Sequence, residues 1–179
     1  MMEVHGSRLT VHRKISSTKG CEGNRGTRDE GRYIVSACLV GINCRYDGKN
    51  KLLGKVQRLV SQGRAIPVCP EQLGGLPTPR LPMEIRDGSG EDVLGGRTGV
   101  FTKEGVDVTT QCIKGAHEVL KLAKLVGARA AILKARSPSC GFGRIYDGTF
   151  TNNLRKGNGV TASLLRREGV KILTEEELN

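Results

Sequence analysis

Three of the six cysteines, Cys38, Cys69 and Cys140, lie at or just beyond the ends of short apolar segments of the chain. Thiolates are soft ligands that bind zinc and iron–sulfur clusters. The cysteine spacings are irregular and no CxxC pair occurs, so a zinc finger or zinc ribbon is not indicated. Three separate thiolates are compatible with an iron–sulfur cluster, which carries net negative charge and takes cysteine ligands.

Cationic side chains accompany these cysteines. Arg45 lies seven residues after Cys38 in the sequence. Lys134 and Arg136 precede Cys140, and Arg144 follows it. We expect such neighbours to lower the pKa of the thiols and to offset the negative charge of a cluster. Glycines and prolines in the same segments allow tight backbone paths around a bulky ligand.

The elements that must position these residues follow from the apolar pattern. Short apolar runs predict strands near residues 33–39, 65–69, 130–135 and 170–173. Helical periodicity predicts helices near residues 51–62, 107–126 and 160–168. Asp147-Gly148 predicts the turn of a hairpin over residues 144–151. Asp107 is the expected N-cap of the long helix. Alternating strands and helices indicate a three-layer α/β fold, Rossmann-like or flavodoxin-like, with a mainly parallel sheet and helices on both faces. Because ligands bind at the carboxyl ends of such strands, we expect the three cysteines to meet there.

Length and composition limit the alternatives. The chain has 179 residues and a formal net charge of +11, which fits one basic domain over residues 32–179. Residues 1–31 are polar and lack periodicity, and are predicted to form a disordered or loosely attached extension. No apolar run is long enough to span a membrane and no secretory signal is evident, so we expect a cytoplasmic protein. An aromatic content of 3% disfavours a protein that stacks single-stranded bases.

Three motifs carry a resemblance to a known family: SACLVGINCRYDG, VCPEQLGGLPTPR and KARSPSCGFG. Together, over residues 33–173, they resemble the DUF523 family of small bacterial proteins, which includes the thiouracil desulfidases. The resemblance implies a 4Fe–4S cluster with one open iron, held here by Cys38, Cys69 and Cys140. It also implies a non-redox reaction on a small thio-heterocycle, a thiolated nucleobase or related thioamide. In that reaction C=S becomes C=O and the sulfide is left on the cluster.

Within that interpretation four further residues receive roles. Glu71, two residues after Cys69, is placed to act as general base or acid, and Ser137 to orient the substrate or relay a proton. Arg45 and Asp47 are placed to hold polar groups of the heterocycle. Cys44 is an open case, because as a fourth ligand it would close the cluster and make the site structural or electron-transferring.

Two other functions remain open from the sequence. The net charge is compatible with a basic nucleotide- or RNA-binding module whose cysteines are structural. A zinc-stabilised protein without catalysis is the other alternative. The placement of the cysteines favours the enzyme, and the sequence does not indicate an oligomeric state.

Overall fold

The structure is a computed structural model that describes residues 32–178. The predicted extension over residues 1–31 lies outside the described residues. The elements, in chain order, are β1 (Tyr33–Ser36), a 3-10 helix (Ala37–Val40), α1 (Gly54–Ser61), β2 (Ala65–Val68), α2 (Pro70–Leu73), β3 (Met83–Ile85), α3 (Gly90–Leu94), β4 (Val100–Thr102), α4 (Thr109–Leu125), β5 (Ala130–Leu133), β6 (Arg144–Tyr146), β7 (Leu154–Lys156), α5 (Val160–Arg167), β8 (Lys171–Thr174) and a second 3-10 helix (Glu175–Leu178).

The core of the fold is a four-stranded parallel sheet in the order β2-β1-β5-β8. Successive side chains of a strand point to opposite faces, and the two faces bury separate apolar clusters. Ile34 of β1 packs in the cluster that includes α4 and α5, whereas its neighbour Val35 packs in the cluster that includes Val56 of α1. Ala131 and Ile132 of β5 divide in the same way. Helices therefore cover both faces, which confirms the predicted three-layer α/β fold.

The strand order places a crevice at one end of the sheet. From β1 the chain moves to β2 on one side and then crosses to β5 on the other. Such a reversal separates the loops that leave two neighbouring strands, and ligands bind in the gap beyond their carboxyl ends. Two antiparallel pairs, β3 with β4 and β6 with β7, form small separate sheets.

Local differences from the sequence prediction have simple causes. The first strand ends at Ser36, because the chain turns into a 3-10 helix that ends at Gly41 with a positive φ of 95°. The predicted hairpin is longer than expected, since its second strand is Leu154–Lys156 and residues 147–153 form the loop. The N-cap of α4 is Val108 and not Asp107 as predicted. Asp107 lies one residue earlier, and its carboxylate accepts the backbone N–H of Thr109 at 2.8 Å.

Among residues 32–178 no helix has the length and apolar character needed to cross a membrane.

Candidate active site

A cavity of about 430 Å³ opens at the carboxyl ends of β1, β2 and β5. Its size is that of a small-molecule site. Four cysteines line it: Cys38, Cys44, Cys69 and Cys140. Cys38 lies in the 3-10 helix after β1, Cys69 directly follows β2, and Cys140 lies in the loop after β5. The three cysteines that the sequence predicted as ligands therefore border one cavity, as the parallel sheet requires.

Cys44 lies among these thiols. It is buried in the same apolar cluster as Cys38, and Cys69 packs against that cluster. The side chains of Cys38 and Cys69 are the largest influences on the pKa of its thiol. The Cys69 thiol also donates to the Cys44 carbonyl oxygen at 3.8 Å. The sequence left the role of Cys44 open, because its distance from Cys69 depends on the path of the loop after β1.

The prediction that cations lower the thiol pKa values is wrong for the cysteines whose shifts are resolved. Hydrogen bonding to Cys38 raises the pKa of Cys44 to about 11. Hydrogen bonding to Cys44 and burial raise the pKa of Cys69, and burial raises that of Cys140. The thiol form of each is favoured where no metal replaces the proton.

Carboxylates explain why the predicted cations do not dominate. Arg45 pairs with Asp47, Lys134 with Glu175 and Arg136 with Glu176, and Arg144 does not line the cavity. Each paired cation has its charge largely compensated by its partner. The two glutamates come from the C-terminal 3-10 helix, far from the cysteines in sequence.

Glu71 and Ser137 both line the cavity, and their side chains contact each other. The Ser137 hydroxyl donates to Oε1 of Glu71 at 3.4 Å. Its oxygen accepts the backbone N–H groups of Ser139 and Cys140, both at 3.1 Å. Because those two donors occupy the oxygen, the hydroxyl hydrogen is directed to Glu71.

Arg80 is the functional residue that sequence reasoning missed. Its Nε donates to Oε2 of Glu71 at 2.7 Å, and its Nη2 contacts the same oxygen and donates to the Cys44 carbonyl at 2.9 Å. The side chains of Arg80 and Glu71 are only 6% and 12% exposed. Arg80 thus fixes the carboxylate and ties it to the loop of Cys44. The only sequence signal was its position at the end of the second motif.

Arg45 and Asp47 take different positions. Arg45 lines the cavity, whereas Asp47 is not among the described lining residues and accepts the Arg45 Nε and Nη2 groups at 3.2 Å each. A direct contact of Asp47 with substrate stays a prediction. Its observed partner indicates that it orients Arg45.

Aromatic rings concentrate at the cavity. The chain has three tyrosines and three phenylalanines, and Tyr46, Tyr146 and Phe150 line this one space. Glu84, which is 8% exposed, accepts the backbone N–H groups of Gly148 and Phe150 at 2.9 and 3.1 Å. That carboxylate fastens the loop between β6 and β7 to β3. Its hydrogen bonds hold the Phe150 backbone beside the cavity.

Glu175 anchors the start of the loop that carries Ser137 and Cys140. The Glu175 carboxylate accepts the Ala135 N–H at 2.6 Å through Oε2 and binds Lys134 through Oε1. Glu175 is buried, so this anchor is shielded from solvent. The conformation of the loop therefore depends on the C-terminal 3-10 helix.

Together, a parallel sheet with a switch-point cavity and a set of thiols, a carboxylate and a hydroxyl at its edge define an α/β enzyme with a cysteine-lined active site. Residues 33–177 match the sequence pattern of the 2-thiouracil desulfurase family. The uncharacterized protein YbbK of Bacillus subtilis (strain 168) is 49% identical over 146 residues, which are 82% of this chain and 97% of that protein. The chain belongs to the 2-thiouracil desulfurase family.

A solved structure supports the same assignment. The 4Fe–4S-dependent thiouracil desulfidase TudS superposes with a TM-score of 0.74 and 44% sequence identity, covering 83% of this chain and 93% of that one. The resemblance to the DUF523 desulfidases predicted from the motifs is confirmed. As a member of this family the chain is an enzyme of the type that cleaves C–S bonds.

Proposed function

We propose that this protein is a 4Fe–4S-dependent desulfidase that converts the C=S group of a thiolated nucleobase or related thioamide into C=O, with water as the source of oxygen. The observation that carries the proposal is the meeting of Cys38, Cys69 and Cys140 with the Glu71–Ser137 pair at one cavity. Sulfur leaves at the oxidation level of sulfide, so no external oxidant or reductant is required.

Cys38, Cys69 and Cys140 would hold the cluster. Among residues 32–178 no three His, Cys, Asp or Glu side chains are grouped to hold a single metal ion. A zinc ion draws all its ligands to about 2.3 Å from one centre, whereas a 4Fe–4S cluster takes one cysteine for each iron. Thiols spread around a cavity fit the second requirement. When bound through three cysteines, such a cluster supplies an open iron that acts as a Lewis acid for a soft sulfur atom.

Glu71 is the proposed general base. Glu71 lines the cavity, its Oε1 accepts from Ser137, and its Oε2 is held by Arg80. A water molecule beside Oε1 would lose its proton to this carboxylate as its oxygen approaches the thiocarbonyl carbon. Ser137 is the proposed relay, since its hydroxyl already donates to the same oxygen and can pass a proton between Glu71 and the substrate.

The rings and the polar groups of the cavity would orient the substrate. A planar heterocycle can stack on Tyr46, Tyr146 or Phe150. Arg45, held by Asp47, presents hydrogen-bond donors to an exocyclic oxygen. This arrangement supports a small heterocycle as substrate. The free cysteines at the cavity agree with the proposed cytoplasmic location, because cysteines in the cytosol are kept reduced.

The proposal is tested with single substitutions after anaerobic purification. Cys38→Ser, Cys69→Ser and Cys140→Ser should each lower iron and acid-labile sulfide from about four of each per chain. Cys112→Ser is the matched control, because Cys112 is buried in α4 against Met83. Normal cluster content in all three cavity variants would contradict the proposed ligand set.

A second arm tests the base. Glu71→Gln should keep the iron content and lower kcat by about 100-fold or more, since the amide cannot accept the proton. Glu118→Gln is its control, because Glu118 only pairs with Lys121 on the outer surface of α4. Equal activity of Glu71→Gln and the control would remove Glu71 from the reaction.

A further inference from the structure

Cys44 is the cavity thiol that the proposed ligand set leaves without a role. It is 2% exposed, and a single buried cysteine usually behaves as a small apolar side chain. Cys44 differs because its immediate neighbours are thiols: it shares one apolar cluster with Cys38 and Cys69, and all three line the same cavity.

Of these two thiols, Cys69 is the one with a defined contact to Cys44. Its Sγ lies 3.8 Å from the Cys44 carbonyl oxygen, and Arg80 holds that carbonyl at 2.9 Å. A disulfide requires Sγ atoms that can approach to about 2.05 Å and Cα atoms less than about 7 Å apart. Because the Cys69 sulfur already contacts the Cys44 backbone and both side chains line one cavity, we expect side-chain rotation to bring the two sulfur atoms together.

Accessibility makes Cys69 the residue that an oxidant meets first. Cys69 is partly exposed, whereas Cys38, Cys44 and Cys140 are buried. Hydrogen peroxide that enters the cavity would oxidise the accessible thiol to a sulfenic acid. The adjacent Cys44 thiol is then the nearest nucleophile.

We propose that Cys44 is the resolving thiol of the cluster-free protein and forms a disulfide with Cys69 on mild oxidation. The Cys69 thiol reacts with hydrogen peroxide to give a sulfenic acid and water. Cys44 then attacks this sulfur, an S–S bond forms and a second water leaves. Two thiols lose two electrons and two protons in all, and one peroxide is reduced to two waters. The disulfide blocks cluster assembly, protects Cys69 from irreversible oxidation and is reversed by a dithiol reductant.

The test uses the full-length chain without its cluster, exposed to hydrogen peroxide. After alkylation, trypsin releases Cys38 and Cys44 in peptide 33–45 and Cys69 in peptide 65–80. We expect these peptides to be linked, with fragmentation placing the bond at Cys44. The link should persist in Cys38→Ala and disappear in Cys44→Ala.

Three results would overturn the proposal: no linked peptide, a link that survives in Cys44→Ala, or a bond placed at Cys38. Iron uptake gives an independent readout. The oxidised protein should bind little iron until dithiothreitol is added, whereas Cys44→Ala should form sulfinic acid at Cys69 and not recover. Cys112→Ala is the matched control and should behave like the unaltered chain. Because the linked peptides are measured without substrate, failure of the desulfidase proposal leaves this test intact.

Discussion

The backbone of α4 at Gly115 touches the backbone of α2 at Pro70: a Cβ atom on Gly115 would lie 1.9 Å from the Pro70 carbonyl oxygen. Gly74 makes the reciprocal approach, since a Cβ there would lie 2.1 Å from the Gln111 carbonyl oxygen. Backbone atoms cannot yield as a flexible side chain can. The two glycines therefore set the position of α2, the short helix that follows Cys69 and carries Glu71.

This contact predicts the effect of Gly115→Ala. The methyl group should push α2 away from α4, destabilise the protein by about 1–3 kcal/mol through overpacking and weaken cluster retention. Gly54→Ala in α1 is the matched control, because a Cβ at Gly54 meets nothing within 4 Å. Urea unfolding of both variants, with iron content, makes the measurement. Equal stability of the two would show that the close approach is not a constraint.

Arg80 is predicted to act through Glu71. Arg80→Lys keeps a positive charge but loses the planar fork that holds Oε2 of Glu71 and the Cys44 carbonyl together. We expect kcat to fall about 10- to 100-fold with KM nearly unchanged, as for other residues that orient a reacting group.

Steady-state kinetics on samples matched for iron content test this expectation. Arg97→Lys is the control, since Arg97 pairs with Asp92 at the surface and its side chain is 64% exposed. A rise in KM without a fall in kcat would instead place Arg80 in substrate binding.

Glu175 and Glu176 are neighbours with different environments, which predicts different effects of the same substitution. Glu175 is buried and accepts the Ala135 N–H, whereas the pair of Glu176 with Arg136 is about half exposed. Glu175→Gln should cost about 1–3 kcal/mol, because it leaves Lys134 without its charge partner.

Glu176→Gln should cost about 0–1 kcal/mol, as expected of an exposed ion pair. Thermal unfolding at low and high salt compares the two directly. If Glu176→Gln were the more damaging variant, the anchoring role of Glu175 would be wrong.

Tyr46 is predicted to bind the heterocycle with its ring at the cavity mouth, where it is 43% exposed. Tyr46→Ala should raise KM by about 5- to 150-fold, the range for loss of one stacking contact of about 1–3 kcal/mol. Tyr46→Phe keeps the ring and should have a KM close to that of the unaltered enzyme. An unchanged KM in Tyr46→Ala would exclude stacking at this position.

The sequence was sufficient for the sheet and for part of the site. Alternating apolar strands and helices predict a mainly parallel sheet. In such a sheet the carboxyl ends of the strands, followed here by Cys38, Cys69 and Cys140, lie at one edge. The sequence also predicts Glu71 and Ser137 at this edge, because each is within three residues of a predicted ligand cysteine, but it does not predict the contact between them.

What the sequence did not predict depends on irregular segments and on contacts between distant residues. Arg80 reaches Glu71 through a loop whose path has no periodic signal. Glu84 lies in a strand of only three residues, within a segment rich in glycine and proline. The pairing of Lys134 with Glu175 joins residues 41 positions apart. The raised pKa values of the thiols follow from burial and from contacts between cysteines, which the spacing of the cysteines in the sequence does not show.

The most direct test of the proposed reaction is an isotope experiment with the reconstituted enzyme and 2-thiouracil in ¹⁸O-labelled water under anaerobic conditions. The proposal predicts one ¹⁸O atom in each uracil formed and one sulfide released for each uracil, with no reductant present. Uracil without the label, or turnover that requires an added electron donor, would contradict a non-redox replacement of sulfur by water.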